Sequence, residues 1–132
     1  MAKKGDSYIF IVKETYIDWG DNPRKTNTRE KIPGEVYFPI PADKAREFNV
    51  YNKTKTGAII EYNVSTSDGF EINGKVKATG VNSGGTGEYA KNLAGSGNLK
   101  LLAPWITNMK IKTGDKIKVE WTSPTDILLT KI

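Results

Sequence analysis

The stretch Ser7-Tyr8-Ile9-Phe10-Ile11-Val12-Lys13 decides the fold class. Successive side chains of an extended chain point to opposite faces, so Tyr8, Phe10 and Val12 share one face and Ile9 and Ile11 the other. β-Branched and aromatic residues in an unbroken run favour a strand over a helix. A strand that is apolar on both faces is expected at the centre of a sheet or in the wall of a closed barrel.

Outward from this strand the pattern stops between Asp18 and Pro33. The stretch Asn22–Lys31 is polar, and Arg24, Lys25, Arg29 and Lys31 face a single acid, Glu30. Glu35–Ile40 reads as a second strand closed by Pro39 and Pro41. Ala42–Phe48 suits a short helix, with Ala42 and Ala45 on the side of Phe48 and Lys44 and Arg46 outward. Ala58–Val64 and Phe70–Ala78 alternate as strands joined by Ser65-Thr66-Ser67-Asp68-Gly69, although Asn73-Gly74 is a breaker inside the second. Thr79–Asn98 is rich in glycine and reads as the least structured part. Leu99–Ile106 suits a short helix started or kinked by Pro104. A turn at Thr113-Gly114-Asp115 then leads to strands at Lys116–Trp121 and Asp126–Ile132.

Six or seven short strands, one or two short helices and no helix–strand alternation predict a mostly β barrel or sandwich. There is no internal repeat and no shift in composition that would mark a linker, so residues 1–132 are expected to form one domain.

The chain of 132 residues is 37% hydrophobic and 27% charged, the balance of a globular protein. No apolar run approaches the ~20 residues of a membrane span, and Tyr8–Val12 is too short for a signal-peptide core. Absence of a membrane partner and a cytoplasmic location are the expectation. Cysteine and histidine are absent, which removes disulfides, thiolate or imidazole zinc sites, cysteine nucleophiles and Ser-His-Asp triads. It also removes the commonest general acid–base near neutral pH. The net charge of +5 suits a polyanion.

No Asp or Glu has lysine two positions later, so the acid-x-Lys element of a common metal-dependent nuclease is missing. Phosphate loops of the GxxxxGK[ST] type are missing too: Gly74-Lys75 is followed by Val76. A carboxylate pair for glycoside hydrolysis depends on spacing in the fold and stays open as a minor reading. Asp18, Asp21 and Glu30 lie in an otherwise basic loop, which favours solvated or Arg-paired roles over a metal. No catalytic residue, metal or cofactor is therefore expected.

The basic loop carries the candidate nucleic-acid contacts. Arg24 and Arg29 are planar donors suited to guanine edges or phosphate, and Asn22 and Asn27 suit adenine edges. Thr26 and Thr28 suit phosphate or a thymine methyl. Trp19, beside Gly20, would give the loop an ordered root. In the second polar stretch Asn82, Ser83, Thr86, Lys91, Asn92, Ser96 and Asn98 offer further contacts, and its glycines permit close approach of backbone to a partner. A floppy connection explains the same composition. Trp105 and Trp121 are expected in the core rather than as base-stacking platforms.

Taken in order, Ile17-Asp18-Trp19-Gly20, the basic loop and Pro33-Gly34-Glu35-Val36-Tyr37-Phe38-Pro39-Ile40-Pro41 resemble the B3-like DNA-recognition domain of type II restriction endonucleases. The likeness is greatest to the C-terminal specificity domain of the phospholipase D-like restriction enzymes. It continues through the helix to Phe48, the hairpin Ala58–Ala78, the arm Thr79–Asn98, Trp105-Ile106, Lys112-Thr113-Gly114-Asp115 and the ending Asp126–Ile132. The resemblance implies a seven-stranded, double-psi-like pseudobarrel with one or two short helices. It implies sequence-specific binding of double-stranded DNA by two arms in the major groove. Carried over, the N-arm falls on Asp18–Lys31, with Trp19, Asp21, Asn22, Arg24, Lys25, Thr26, Asn27, Arg29 and Lys31 as contacts. The C-arm falls on about Thr79–Asn98, approached by Lys77, and Lys91-Asn92-Leu93-Ala94-Gly95-Ser96 match the family's run of a lysine followed by small polar residues. The chain departs in its longer, glycine-rich C-arm and in lacking a nuclease domain, which the resemblance implies as a companion domain or subunit. The rival from another class is a protein-interaction or phage structural domain.

Overall fold

In a computed structural model, the structure describes residues 3–13, 36–52, 57, 60–80, 88–98 and 100–132. Seven strands form one mixed sheet: β1 (Ser7–Ile11), β2 (Tyr37–Pro39), β3 (Ile60–Thr66), β4 (Lys75–Thr79), β5 (Asn92–Gly95), β6 (Lys116–Ser123) and β7 (Asp126–Lys131). The strand order is β1-β6-β7-β3-β4-β5-β2, antiparallel throughout except for β3 against β7. Two short helices complete the fold, α1 (Ala42–Glu47) and α2 (Ala103–Asn108).

Alternation sets the inner face. Tyr8, Phe10 and Val12 of the β1 segment, Tyr62 and Val64 of β3, and Ile117, Val119 and Trp121 of β6 all enter one buried cluster. Trp105 and Trp121 are fully buried, in line with the expectation that they belong to the core. Tyr8, Phe48 and Tyr62 surround Trp121 with ring centroids 6.2, 6.0 and 5.7 Å away. Burial keeps the Tyr8 phenol far above its usual range and pushes the Tyr62 phenol up to about 12.

The expectation that the first strand is central or lies in the wall of a closed barrel is corrected. β1 is an edge strand, and its outer residues Ile9 and Ile11 are more than half exposed. Among the described residues, β1 and β2 make no backbone ladder. The sheet nevertheless curls until its edges meet through side chains. The Tyr8 hydroxyl donates to the Pro39 carbonyl at 2.9 Å, and the Phe10 and Phe38 rings lie 5.2 Å apart. Pro39 belongs on such an edge because it has no amide hydrogen to give a ladder.

The described part of the glycine-rich stretch also holds more regular structure than its composition suggests. Asn92–Gly95 is strand β5, paired with both β4 and β2. Leu93 supplies its anchor in the core, while Gly95 admits a close crossing: a Cβ there would lie 1.9 Å from the Asn98 carbonyl oxygen. The expected strand Phe70–Ala78 begins only at Lys75, after Gly74 with φ +154°, as the Asn73-Gly74 breaker foreshadows. The turn before it is fixed by Thr66 Oγ1 donating to the Phe70 carbonyl at 2.7 Å and by Trp105 Nε1 donating to Asp68 Oδ2 at 2.9 Å. Among the described residues no helix is long and apolar enough to cross a membrane.

Candidate nucleic-acid interface

The registers place every strand end. Ile11, Lys116, Lys131, Thr66, Lys75, Gly95 and Tyr37 lie toward one end of the curled sheet, and Thr79, Asn92 and Pro39 toward the other. Lys13 and Val36, which flank residues 14–35, therefore stand at the first end. Gly80 and Glu88, which flank residues 81–87, stand at the opposite end. Between these attachment points runs the outer face of β2, β5 and β4.

That face is small, polar and basic. In one row Tyr37 opposes Ala94, which opposes Lys77; in the next Pro39 opposes Asn92, which opposes Thr79. Lys75 is exposed and Lys77 half-buried, and neither makes an ion pair among the described residues. Glu61 opposes Lys77 across the ladder, but its carboxylate accepts the Ser96 hydroxyl instead. Ala94 is buried although it lies outside the core cluster, because its methyl sits low between Tyr37 and Lys77. Asn92 makes no side-chain hydrogen bond among the described residues, so its amide keeps both donors and its acceptor.

The root of residues 81–87 is a built clamp. Asn52, buried at 4% exposure, donates from Nδ2 to the Gly80 carbonyl at 3.0 Å, and its backbone N–H donates to the Glu88 carbonyl at 2.9 Å. Ala90 N donates to the Val50 carbonyl at 3.0 Å, closing a two-sided root. Gly80 has φ +79°, and a Cβ there would press on the Lys91 Cβ at 3.1 Å, so a larger residue is opposed both by backbone strain and by contact. Over this root the Tyr51 and Tyr89 rings stack with centroids 5.4 Å apart.

The candidate contacts separate accordingly. Lys91 and Asn92 come together beside Gly80, and Lys77 lies on the outer face of the same β4–β5 pair, opposite Ala94. Ser96 lies on the same face toward the other end, with its hydroxyl committed to Glu61. Asn98 serves the turn before α2: its Oδ1 accepts from Lys100 N at 3.1 Å and its carbonyl from Leu101 N at 3.0 Å. Trp19, Asp21, Asn22, Arg24, Lys25, Thr26, Asn27, Arg29, Lys31, Asn82, Ser83 and Thr86 lie outside the described residues. Sequence reasoning overlooked Lys75, Asn52 and the Tyr51–Tyr89 pair. Alternation with Lys77 would have shown Lys75 on the same face, whereas the tyrosine pair joins residues remote in sequence and leaves no local pattern.

Comparison of the chain with family models, with curated proteins and with solved structures finds no match.

Proposed function

We propose that this protein is a sequence-specific, double-stranded DNA-binding module without a catalytic centre, acting as the recognition part of a restriction or related system. The observation that carries the reading is the basic face of β4 and β5, with Lys75, Lys77 and Asn92, set between the attachment points of two polar segments at opposite ends of the sheet. Duplex DNA laid along that face would meet lysine at the phosphates and the Asn92 amide at a base edge. Arg24 and Arg29 enter on their sequence alone, as the guanine readers of the first segment.

In this reading the curled sheet is a B3-like pseudobarrel. The Tyr8–Pro39 bond across the seam and the helices at opposite ends of the sheet support it. A nuclease domain or subunit supplies the chemistry, and the location is cytoplasmic. The alternative, a protein-interaction or phage structural domain, draws on the exposed isoleucines of β1. The two part on duplex binding. Selection from random duplex DNA should return one motif, and Arg24→Ala or Arg29→Ala should relax it at a defined base pair. Recovery of random sequence only, or no recovery, contradicts the proposal.

A further inference from the structure

The large apolar side chains left exposed among the described residues are Ile9, Ile11 and Ile132, at 53%, 55% and 59%. They share one outer face. Ile11 opposes Lys116, and Ile132 lies beyond Lys116 in the same row, donating its backbone N–H to the Lys116 carbonyl at 2.9 Å. Ile9 opposes Lys118, which opposes Thr130. Lys118 is paired with Glu120 at 3.6 Å, while Lys116 is exposed and has no ion pair among the described residues. One row therefore reads isoleucine, ammonium, isoleucine.

Exposed β-branched residues on an edge strand favour adventitious strand pairing, and proteins ordinarily blunt such edges. Here the lysines stand between the isoleucines rather than replacing them, which leaves an apolar stripe with a cation at its centre. Ile11 and Ile132 are two inter-strand spacings apart, about 9.6 Å. On an α-helix, residues i and i+7 are about 10.5 Å apart on one face, with i+3 and i+4 between them.

We infer that the outer face of β1, β6 and β7 docks an acidic amphipathic helix of a partner protein. The helix sets apolar side chains at i and i+7 against Ile11 and Ile132, and carboxylates at i+3 or i+4 against Lys116. A second copy of this chain is a poor occupant, because facing the stripe with itself brings the ammonium group of Lys116, unpaired among the described residues, toward its own counterpart. This inference is independent of DNA binding by β4 and β5.

The test uses the full chain and two synthetic alanine-based helical peptides with leucines seven residues apart. One carries glutamate, the other lysine, at the third and fourth positions after the first leucine. By fluorescence anisotropy at low salt, the glutamate peptide should bind at least about tenfold more tightly than the lysine peptide. Lys116→Glu should reverse that preference, and Ile11→Thr, which keeps a strand-forming residue, should weaken the glutamate peptide by about tenfold. Because both side chains are exposed, the near-UV dichroism of the buried tryptophans should be unchanged. Equal or absent binding of the two peptides overturns the inference. So does a dimer seen by sedimentation that Ile11→Thr dissociates, which would assign the stripe to a second copy.

Discussion

The Tyr8 hydroxyl donates a 2.9 Å hydrogen bond to the carbonyl oxygen of Pro39, linking the first and last strands of a sheet whose backbones do not pair there. With the Phe10–Phe38 contact, this bond joins the two edges of the curled sheet. Tyr8→Phe keeps the ring and its contact with Phe10 but leaves the Pro39 carbonyl without that donor. The cost should be about 1–3 kcal/mol, read as a lower urea midpoint at unchanged slope. An unchanged midpoint would mean that the seam is held by the Phe10–Phe38 contact alone.

The same tyrosine, with Tyr62, sets an alkaline limit. Both phenols are raised by burial, Tyr62 to about 12. Above pH 10 the unfolded chain loses these protons while the folded chain retains them. Their stability contribution is complete below pH 10 and falls as pH rises through the Tyr62 value, by about 1.4 kcal/mol per pH unit per tyrosine. Tyrosinate absorbance from Tyr8 and Tyr62 should appear only together with unfolding. Ionisation of Tyr8 and Tyr62 ahead of unfolding would contradict their burial.

On the acid side Asp68 is one of three carboxyls, with Asp115 and Asp126, that hydrogen bonds hold low. The hydrogen bond from Trp105 Nε1 holds its carboxylate below the usual range. Its stability contribution is present at neutral pH and lost as pH falls through that lowered value. Asp68→Asn should therefore be less stable than wild type at pH 7, and the gap should narrow on acidification. Tryptophan fluorescence during unfolding at several pH values measures it.

Gly95 and Gly97 give a matched pair of substitutions. Gly95→Ala drives a Cβ into the Asn98 carbonyl at 1.9 Å and the Leu101 Cβ at 2.6 Å, and should destabilise by about 3 kcal/mol or more. Gly97 has φ +73° with open space around it, so Gly97→Ala incurs backbone strain only, about 1–2 kcal/mol. Equal losses in chemical denaturation would show that the β5 crossing is looser than described.

Much of this fold was legible in the sequence. Alternation marked β1, β3, β6 and β7, Ala45 and Phe48 marked α1, and Pro104 marked the start of α2. What misled was context. The two-sided apolar pattern of β1 looked central, yet periodicity does not report which strand lies beside it, and Ile9 and Ile11 face outward. Strand β5 was hidden because Ala94 and Gly95 carry no β propensity; its pairing comes from Leu93 in the core and from neighbours on both sides. The parallel β3–β7 pair joins residues far apart in the chain, which no local period encodes. In the candidate site, Lys91 and Asn92 were legible as polar residues in a glycine-rich stretch. That Asn98 is engaged by its own turn, and Ser96 by Glu61, depends on tertiary geometry.

The most direct test of the central claim is the affinity of the protein for its selected duplex across a range of salt concentrations. Contact by about five to eight lysines and arginines predicts a log–log slope of about −4 to −7. Replacing Lys75 and Lys77 together by alanine should make that slope shallower by nearly 2, one for each phosphate-binding ammonium removed. A slope near zero, or no binding to any duplex at low salt, would contradict the DNA-binding account.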